Sequence, residues 1–506
     1  MIVDELAYQI RQTMGLVPTA EQESAIDVFC RFMMDGSDRS VMILRGSAGT
    51  GKTTLAAAIV KTLVRLRQKV VLLAPTGRAA KVFSLNAGQL ALTIHRKIYR
   101  QKSFAGDSSK FNLNDNLARD TLFIVDEASM IANYGVSVTL TFGSGRLLDD
   151  LVGFVYGGCN CRMVLIGDKA QLPPVGESDS PALMPNYIEG YGLRVYECDL
   201  NEVLRQAAGS GILYNATVIR RMMTHDEITG LPKVMFSGFA DIRIVPGGEL
   251  IEQLNGSYGE VGLDETIVVT RSNKRANIYN AGIRNMVLGR EDELSTGDML
   301  IVVKNNYYWL EKERDGMRKA GGVQAGGATE RLQSGHDGSP HFTFSTSLFI
   351  ANGDRACVQR VRNVREIYGF RFADVWLQFP DYDNYELRLT LMLDTLMSES
   401  ASLTRQQSEH LFNSVMEDYQ DVPLKADRLK RVREDMYYNA LQVKYAYAVT
   451  CHKAQGGQWA HVYVDQGYMT DDMLTPDYIH WLYTAFTRAT EKLYLVNWPK
   501  TQTVDA

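Results

Sequence analysis

The stretch GSAGTGKT, residues 46–53, decides the fold of this chain. It matches the pattern G-x-x-x-x-G-K-[ST], in which backbone N–H groups of a glycine-rich loop surround phosphate oxygens. An apolar run at residues 41–44 (VMIL) predicts a buried strand before the loop, and the run that starts at Thr54 predicts a helix after it. Because strand, loop and helix follow in the order that the motif needs, we predict a phosphate-binding P-loop. The residues assigned to it are Gly46, Gly49, Thr50, Gly51, Lys52, Thr53 and Thr54.

Two of these side chains and a nearby acidic pair carry the predicted chemistry. Lys52 is expected to reach the β and γ phosphates of a nucleoside triphosphate, and the Thr53 hydroxyl to ligate Mg²⁺. A second apolar strand, residues 122–125 (LFIV), ends in Asp126 and Glu127. Asp126 is placed for the Mg²⁺ ion, and Glu127 for the base that orients or deprotonates an attacking water. Because a small-molecule P-loop kinase avoids water attack, this pair favours NTP hydrolysis over phosphate transfer to a metabolite.

A third strand, residues 162–166 (RMVLI), leads into GDKAQLPPVG, residues 167–176. Ligands of doubly wound sheets bind at the carboxyl ends of the strands. Gln171 at this position can hydrogen-bond the γ-phosphate and lose that bond on hydrolysis. Pro173 and Pro174 restrict the backbone, so a shift of Gln171 passes along the loop. We predict that this loop senses the state of the nucleotide.

Length and composition indicate a globular protein of several domains. The chain has 506 residues, of which 45% are hydrophobic and 22% charged. No window approaches the roughly 20 apolar residues of a membrane span, and the N-terminus lacks the basic lead and apolar core of a secretion signal. The six scattered cysteines favour reduced thiols and a cytoplasmic protein over a zinc site or disulfides. With a net charge of −5, any nucleic acid must be bound by a local groove.

Nine segments, taken in order, resemble the motifs of superfamily 1B DNA helicases of the RecD and Dda type. The segments are residues 18–22 (PTAEQ), 46–53, 74–80 (APTGRAA), 93–95 (TIH), 126–129 (DEAS), 167–176, 200–206 (LNEVLRQ), 447–456 (YAVTCHKAQG) and 483–489 (YTAFTRA). They are similar to the family's Q-motif and its motifs I to VI. The resemblance implies an α/β fold with two RecA-like P-loop domains, a β-hairpin (pin) insertion in the first and an SH3-like β-rich insertion in the second.

The resemblance also assigns further site residues. Gln22 is expected to contact adenine, and Arg205 and Arg488 to stabilise the charge that builds on the γ-phosphate. Arginines that complete the site from a facing domain would let ATP draw two domains together. Single-stranded DNA would be held mainly through its backbone, and an aromatic residue of the pin would stack on a base at the junction. The candidate DNA contacts are Pro75, Thr76, Thr93, His95, Phe104, Thr270, Arg271, Asn280, Thr450, His452 and Lys453.

We predict three structural regions: an N-terminal helix with the first RecA-like domain, a second RecA-like domain, and a subdomain inserted into the second. They cover residues 1–205, residues 206–300 with 440–506, and residues 301–439, and the pin covers about 96–121. Within the inserted subdomain, a charged stretch at residues 402–437 predicts helix. The Gly-rich stretch at residues 311–341 is longer than the family leads us to expect and predicts a mobile loop.

By this resemblance we expect an ATP-dependent DNA helicase that uses Mg²⁺, moves 5′ to 3′ on single-stranded DNA and acts at single-strand–duplex junctions as a monomer. Repair or replication proteins are candidate partners. Three other functions stay open on the sequence. The same motor can serve as a translocase or RNA remodeller without productive unwinding, or as the ATPase subunit of a partner nuclease. A metabolic P-loop kinase is the third, and Glu127, Arg205 and Arg488 argue against it.

Overall fold

A computed structural model of the chain describes residues 2–101, 111–134, 143–202, 209–224, 230–319, 350–382 and 384–504. Its N-terminal part alternates helices and strands. These are α1 (Ile2–Met14), α2 (Ala20–Met34), β1 (Ser40–Gly46), α3 (Lys52–Arg65), β2 (Lys69–Ala74), α4 (Gly77–Ala87), β3 (Ala91–Thr93), α5 (Ile94–Ile98), β4 (Tyr99–Gln101), β5 (Phe111–Leu113), β6 (Thr121–Val125), α6 (Leu147–Tyr156), β7 (Arg162–Gly167), α7 (Pro185–Glu189) and β8 (Arg194–Leu200).

Six of these strands form one parallel sheet in the order β3-β2-β6-β7-β1-β8. Every residue of β1 is buried. Val41 and Ile43 belong to one apolar cluster, and Met42 and Leu44 to another. Because successive side chains of a strand point to opposite faces, both faces of β1 are covered, which explains its uninterrupted apolar run.

The sheet brings the three predicted phosphate-site segments to one edge. Strands β1, β6 and β7 are parallel, and they end at Gly46, Val125 and Gly167. The P-loop, the acidic pair and the sensor loop follow these ends directly. The carboxyl edge of this sheet is therefore where a nucleotide site can form.

The predicted pin begins as a two-stranded antiparallel hairpin of β4 and β5. Tyr99 pairs with Leu113 at its base. The candidate stacking residue Phe104 lies outside the described residues, so its role stays a prediction.

The C-terminal part builds a second sheet and a barrel. Its elements are α8 (Gly211–Thr224), β9 (Ile242–Val245), α9 (Leu250–Glu260), β10 (Thr266–Thr270), α10 (Asn273–Gly282), β11 (Met299–Val302), α11 (Tyr308–Lys319), β12 (Arg355–Ile367), β13 (Phe370–Phe379), β14 (Tyr385–Met392), α12 (Arg405–Glu417), α13 (Lys425–Arg433), β15 (Leu441–Tyr445), β16 (Ala448–Thr450), α14 (Cys451–Ala454), β17 (Trp459–Asp465), α15 (Pro476–Phe486) and β18 (Ala489–Val496). Strands β16-β10-β17-β18-β9 form a five-stranded parallel sheet, and β11 to β15 form a closed barrel.

The barrel is slightly longer in sequence than predicted. Strand β15 pairs with both β11 and β14, and this pairing closes the sheet. The barrel therefore runs from Met299 to Tyr445, whereas the prediction placed it at residues 301–439. The run at 441–445 had been assigned to the second RecA-like domain because an apolar strand gives no sign of the sheet it joins. Within the predicted Gly-rich loop, the described part continues α11, and residues 320–349 lie outside the described residues.

The predicted fold class is confirmed. Two parallel α/β sheets, a hairpin inserted in the first and a closed barrel inserted in the second are all present. The charged stretch predicted as helix forms α12 and α13. Across the described ranges, no helix is both long and apolar enough to cross a lipid bilayer.

The chain passes between the second sheet and the barrel beside one buried carboxylate, Asp298. It is fully buried and accepts hydrogen bonds from Arg284 Nε (3.0 Å), Arg290 Nη1 (2.8 Å) and the Tyr447 hydroxyl (2.9 Å). Arg284 follows α10, where the chain leaves the second sheet, and Tyr447 precedes β16, where the chain returns. Asp298 therefore ties both crossings together.

Replacing Asp298 with alanine should destabilise the second domain. The substitution leaves Arg284, 5% exposed, as a buried cation without its counter-charge, and breaking a buried ion pair costs about 3–5 kcal/mol. Thermal unfolding followed by circular dichroism should show a midpoint lowered by several degrees. The exposed neighbour Glu291→Ala serves as the control. Equal unfolding midpoints for the two variants would show that the Asp298 ion pair does not stabilise the second domain.

Candidate nucleotide site and nucleic-acid interface

The P-loop joins β1 to α3 and carries Lys52 at the first position of the helix. Gly51 before it has a φ of 78°, in the left-handed region that favours glycine. A Cβ added at Gly46 would lie 2.9 Å from Lys52 Cγ, so the loop closes too tightly for a larger residue. The Lys52 ammonium donates to the carbonyl oxygens of Gly46 (2.5 Å) and Ser47 (3.0 Å). The loop therefore holds its cation close to its own first residues.

Gln22 supports this loop from α2. Its side chain is almost fully buried, its Oε1 accepts from the Thr19 N–H (3.1 Å), and its Nε2 donates to the Thr50 carbonyl (2.9 Å). Both ends of the amide thus bind protein atoms and fix the loop against the start of α2. The predicted contact with adenine stays a prediction.

Asp126 and Glu127 lie where β6 ends, at the same edge of the sheet. Together with Thr53 they line a cavity of about 460 Å³ that extends along α3. Burial raises the pKa of Asp126, and the neighbouring Glu127 carboxylate raises it further. Glu127 has a φ of 52°, a costly conformation for a residue with a side chain and one that clusters at functional sites. This edge offers carboxylate and hydroxyl oxygens, the ligands that Mg²⁺ prefers.

The sensor loop, residues 167–176, is buried at the residues that matter most. Asp168 and Gln171 are 3% and 5% exposed. Gln171 Oε1 accepts no hydrogen bond from the described residues. A buried acceptor without a donor is costly, so a ligand or water that donates to it would be stabilised here. Thr54 lies in the first turn of α3, which starts at the same edge of the sheet.

The second domain binds the sensor loop through two hydrogen bonds to the backbone of Leu172. The Leu172 N–H donates to the Thr484 hydroxyl of α15 (2.7 Å). The Leu172 carbonyl accepts from Gln455 Nε2, which follows α14 (2.7 Å). All four of these groups are buried, so water does not compete for the bonds. We define this pair of bonds as the Leu172 clamp.

A further contact, made by Tyr483 of α15, connects the P-loop itself to the second domain. The Tyr483 hydroxyl donates to Asp168 Oδ2 (2.7 Å) and accepts from the Ala48 N–H (2.9 Å). Tyr483 is 1% exposed. One hydroxyl therefore joins the P-loop, the sensor loop and α15.

The nucleic-acid candidates of the first domain cap helices. The hydroxyls of Thr76 and Thr93 each accept from a backbone N–H three residues on (both 3.3 Å), at the starts of α4 and α5. Pro75 is half-buried at the end of β2. Burial lowers the pKa of His95 to about 4, so this imidazole is neutral at pH 7 and offers a phosphate no charge.

Two candidates of the second domain have a structural role. Thr270 is fully buried and its hydroxyl donates to a neighbouring carbonyl (3.1 Å). Asn280, also buried, donates to the Ala448 carbonyl (2.9 Å) and accepts from its N–H (2.8 Å), which holds β16 in place. The polar atoms of both residues thus bond to the backbone in this structure, and their predicted DNA contacts stay predictions. Arg271 is exposed, with its guanidinium 5.5 Å from the Tyr478 ring centroid.

The remaining candidates surround the start of α14. The Thr450 side chain makes no capping hydrogen bond, and His452 is exposed. The Lys453 ammonium nitrogen is buried and has no hydrogen-bond partner among the described residues. Burial, with a further contribution from the nearby Lys444 charge, lowers the pKa of Lys453 to about 8. The described residues therefore leave this ammonium without a hydrogen-bonded counter-ion.

Three parts of the chain meet at the start of α4. A Cβ added at Gly456, after α14, would lie 3.1 Å from Thr76 Oγ1. A Cβ added at Gly77 would collide with the carboxylate of Asp354, at the barrel. Asp354 in turn accepts from the Tyr382 hydroxyl (2.8 Å). The first domain, the second domain and the barrel thus enclose the region of the predicted DNA contacts.

Two family models match the chain in regions that carry this site. One, described as an AAA domain, matches residues 33–177, which hold the P-loop, the acidic pair and the sensor loop. The other, described as a UvrD-like helicase C-terminal domain, matches residues 445–496, which hold Tyr483 and the two partners of Leu172 in the clamp, Gln455 and Thr484.

Two of the curated relatives are DNA helicases of a named type. The chain is 24% identical over 291 residues to the ATP-dependent DNA helicase dda of Enterobacteria phage T4, a match that covers 56% of this chain and 60% of that protein. It is 29% identical over 313 residues to the ATP-dependent RecD2 DNA helicase of Deinococcus radiodurans, covering 60% of this chain and 38% of the relative. The chain is thus similar in sequence to curated helicases of the Dda and RecD2 types.

The chain spans only 38% of the length of the RecD2 relative and 60% of the length of the dda relative. Among solved structures, a Pif1 helicase from Bacteroides in complex with ADP-AlF3 and ssDNA has a TM-score of 0.44 and 14% identity, with 97% of this chain and 94% of that chain covered.

The roles predicted for the two arginines, Arg205 and Arg488, stay predictions. Arg205 lies outside the described residues. Arg488 is 3% exposed, and its guanidinium donates to Thr484 O, Gly457 O and Thr487 Oγ1, all within its own domain. Its predicted role stays a prediction, since no described bond joins it to the P-loop.

Sequence reasoning missed two residues that do reach the P-loop. They are Arg220, whose Nη1 donates to Ser47 Oγ (2.6 Å), and Tyr483. Tyr483 carried a signal, because it opens the motif at residues 483–489. Arg220 carried none, because it belongs to no motif.

Removing the Tyr483 hydroxyl should loosen the P-loop and the sensor loop together. In Tyr483→Phe, the Ala48 N–H and the Asp168 carboxylate lose a shared partner, so hydrogen exchange should speed up at Ala48 and across residues 168–172. Tyr478→Phe is the matched control, because it removes a hydroxyl of the same helix that bonds to Gln466 within the second domain (2.5 Å). Equal exchange in the two variants would contradict the proposed connection.

Proposed function

We propose that this chain is an ATP-dependent DNA helicase that hydrolyses ATP between its two RecA-like domains and moves along single-stranded DNA. The observation that carries the proposal is the shared nucleotide edge. The P-loop and acidic pair belong to the first domain, while α15 of the second domain bonds to both the P-loop and the sensor loop. A change at the phosphates therefore reaches both domains.

The nucleotide would be ATP, held at the carboxyl edge of the first sheet. Lys52 would release the carbonyls that it now contacts and bind the β and γ phosphates. Thr53 and Asp126 would hold Mg²⁺, which neutralises phosphate charge when bound. Glu127 would take the proton of the attacking water.

Gln171 has two hydrogen-bonding ends for this site. Its unpartnered Oε1 suits an O–H of the attacking water, and its amide N–H the γ-phosphate. Loss of the γ-phosphate would remove the second bond. The Leu172 clamp, one residue further, would pass that change to α14 and α15.

Single-stranded DNA would lie where α4, α14 and the barrel meet. A buried ammonium without a partner is costly, and a backbone phosphate would relieve that cost at Lys453. Thr450 and His452, which adjoin Lys453 in the chain, and Arg271 would be further donors. Contacts of this kind read the backbone and not the bases, so binding would depend little on sequence.

By its resemblance to the RecD/Dda type we further propose movement 5′ to 3′, with a preference for single-strand–duplex junctions. A monomer in the cytoplasm is the corresponding expectation. Pin residues around Phe104 would meet the duplex at the junction.

The decisive test is steady-state ATP hydrolysis with and without oligo-dT, beside unwinding of 5′-tailed and 3′-tailed duplexes. We expect strong stimulation by DNA and opening of the 5′-tailed duplex only. Lys52→Ala and Glu127→Gln should abolish turnover and keep single-strand binding. Stimulation without unwinding would indicate a translocase or the ATPase subunit of a partner nuclease. Absence of stimulation would overturn the proposal.

Lys453→Ala should weaken single-stranded DNA binding at every sequence tested. Because one phosphate contact is lost, the slope of log affinity against log salt should fall by about 0.7 for a single strand. Fluorescence anisotropy with labelled oligo-dT over a salt series measures it. Lys233→Ala, which changes an exposed lysine of the same domain, is the control. An unchanged slope would place the DNA elsewhere.

A further inference from the structure

We propose that Arg220 is an additional γ-phosphate contact, supplied to the P-loop by α8 of the second domain. The inference rests on the proposed ATPase function and adds a residue to its site. Arg220 lies outside the motif segments on which the resemblance is based, which end at residue 206 and resume at 447.

The contact with the P-loop is direct. Arg220 Nη1 donates to Ser47 Oγ at 2.6 Å, and Ser47 is the second residue of the P-loop. The same guanidinium bonds Asn201 through its side-chain oxygen (3.3 Å) and its carbonyl (3.4 Å), at the end of the first domain's sheet. Arg220 therefore crosses from the second domain to the first at the loop that would hold the phosphates.

The charge of Arg220 has no acidic counterpart in these contacts. Its partners are a hydroxyl, an amide oxygen and a carbonyl, all neutral. The carboxylate of Glu21, which meets the chain at Asn201, directs Oε2 to the backbone N–H groups of Asn201 and Glu202. A guanidinium held beside a P-loop without a carboxylate is ready to pair with a phosphate, for which it is the best-matched side chain.

Neighbouring groups support this position. The Tyr483 hydroxyl bonds the next P-loop residue, Ala48, and the Arg220 charge acts on that phenol, lowering a pKa that burial raises. Arg220 and Tyr483 therefore approach the same end of the loop from α8 and α15. Arg488, by contrast, donates hydrogen bonds only to residues of its own domain among the described residues.

On ATP binding, Arg220 would exchange the Ser47 hydroxyl for a γ-phosphate oxygen. No bond is made or broken by this exchange beyond hydrogen bonds. Once hydrolysis removes the γ-phosphate, Arg220 returns to Ser47, and the second domain loses an attraction that ADP cannot replace. The residue would thus distinguish ATP from ADP and stabilise the charge of the transition state.

The test compares Arg220→Ala, Arg220→Gln and Arg220→Lys with the neighbouring exposed control Arg221→Ala. Binding of a fluorescent non-hydrolysable ATP analogue and of the matching ADP is measured on each, and kcat and KM for ATP are measured with saturating oligo-dT. We expect the Ala and Gln variants to lose at least about ten-fold in analogue affinity and in kcat, with ADP affinity within about two-fold of wild type. Arg220→Lys, which keeps the charge, should recover part of both losses, and the control Arg221→Ala should show neither loss.

Equal loss of analogue and ADP binding would show that Arg220 only joins the domains, and unchanged analogue binding and kcat would also overturn the inference. Circular dichroism identifies a variant that fails to fold, and the Lys variant then decides between a charge and a packing role. If wild-type protein shows no DNA-stimulated turnover, the proposed function fails. The analogue-to-ADP affinity ratio still decides the role of Arg220 in that case.

Discussion

The Leu172 clamp is the constraint on which the rest of the nucleotide site depends. Its two bonds hold the N–H and the carbonyl of one residue, so they fix that residue's orientation as well as its position. Pro173 and Pro174 follow at once and limit the ways in which the backbone can absorb a shift. Because the partners sit on two helical segments of the second domain, the sensor loop and that domain must move together. The Tyr483 hydroxyl extends the same constraint to the P-loop.

What the sequence predicts well is local. The P-loop, the acidic pair and the sensor loop each follow an apolar strand within a few residues, and parallel strands place their ends at one edge. The order of residues alone therefore predicts the chemistry of Lys52, Asp126 and Glu127. The two-sheet architecture with its hairpin and barrel was predictable for a different reason, the ordered series of motifs.

What the sequence could not show depends on contacts across long separations. Arg220 and Ser47 are 173 residues apart, and Tyr483 and Ala48 are 435 apart, so no spacing rule joins them. Thr270 and Asn280 have the side chains of phosphate ligands, yet their burial is decided by how β10 and β16 pack. The end of the barrel was missed because β15 reveals its sheet only through its partners.

The Asp298 junction also has a mechanical consequence. Both chain crossings converge on one carboxylate, so a rotation of the barrel against the second domain would strain the hydrogen bonds of Asp298. Strand β11, four residues or about 13 Å long, separates this anchor at Asp298 from Asp354. The Asp354 carboxylate lies beside Gly77, at the start of α4. We expect the barrel to act as a lever whose fulcrum lies at the anchor. A rotation of the barrel about this anchor would therefore displace the Asp354 carboxylate that lies beside Gly77, at the start of α4.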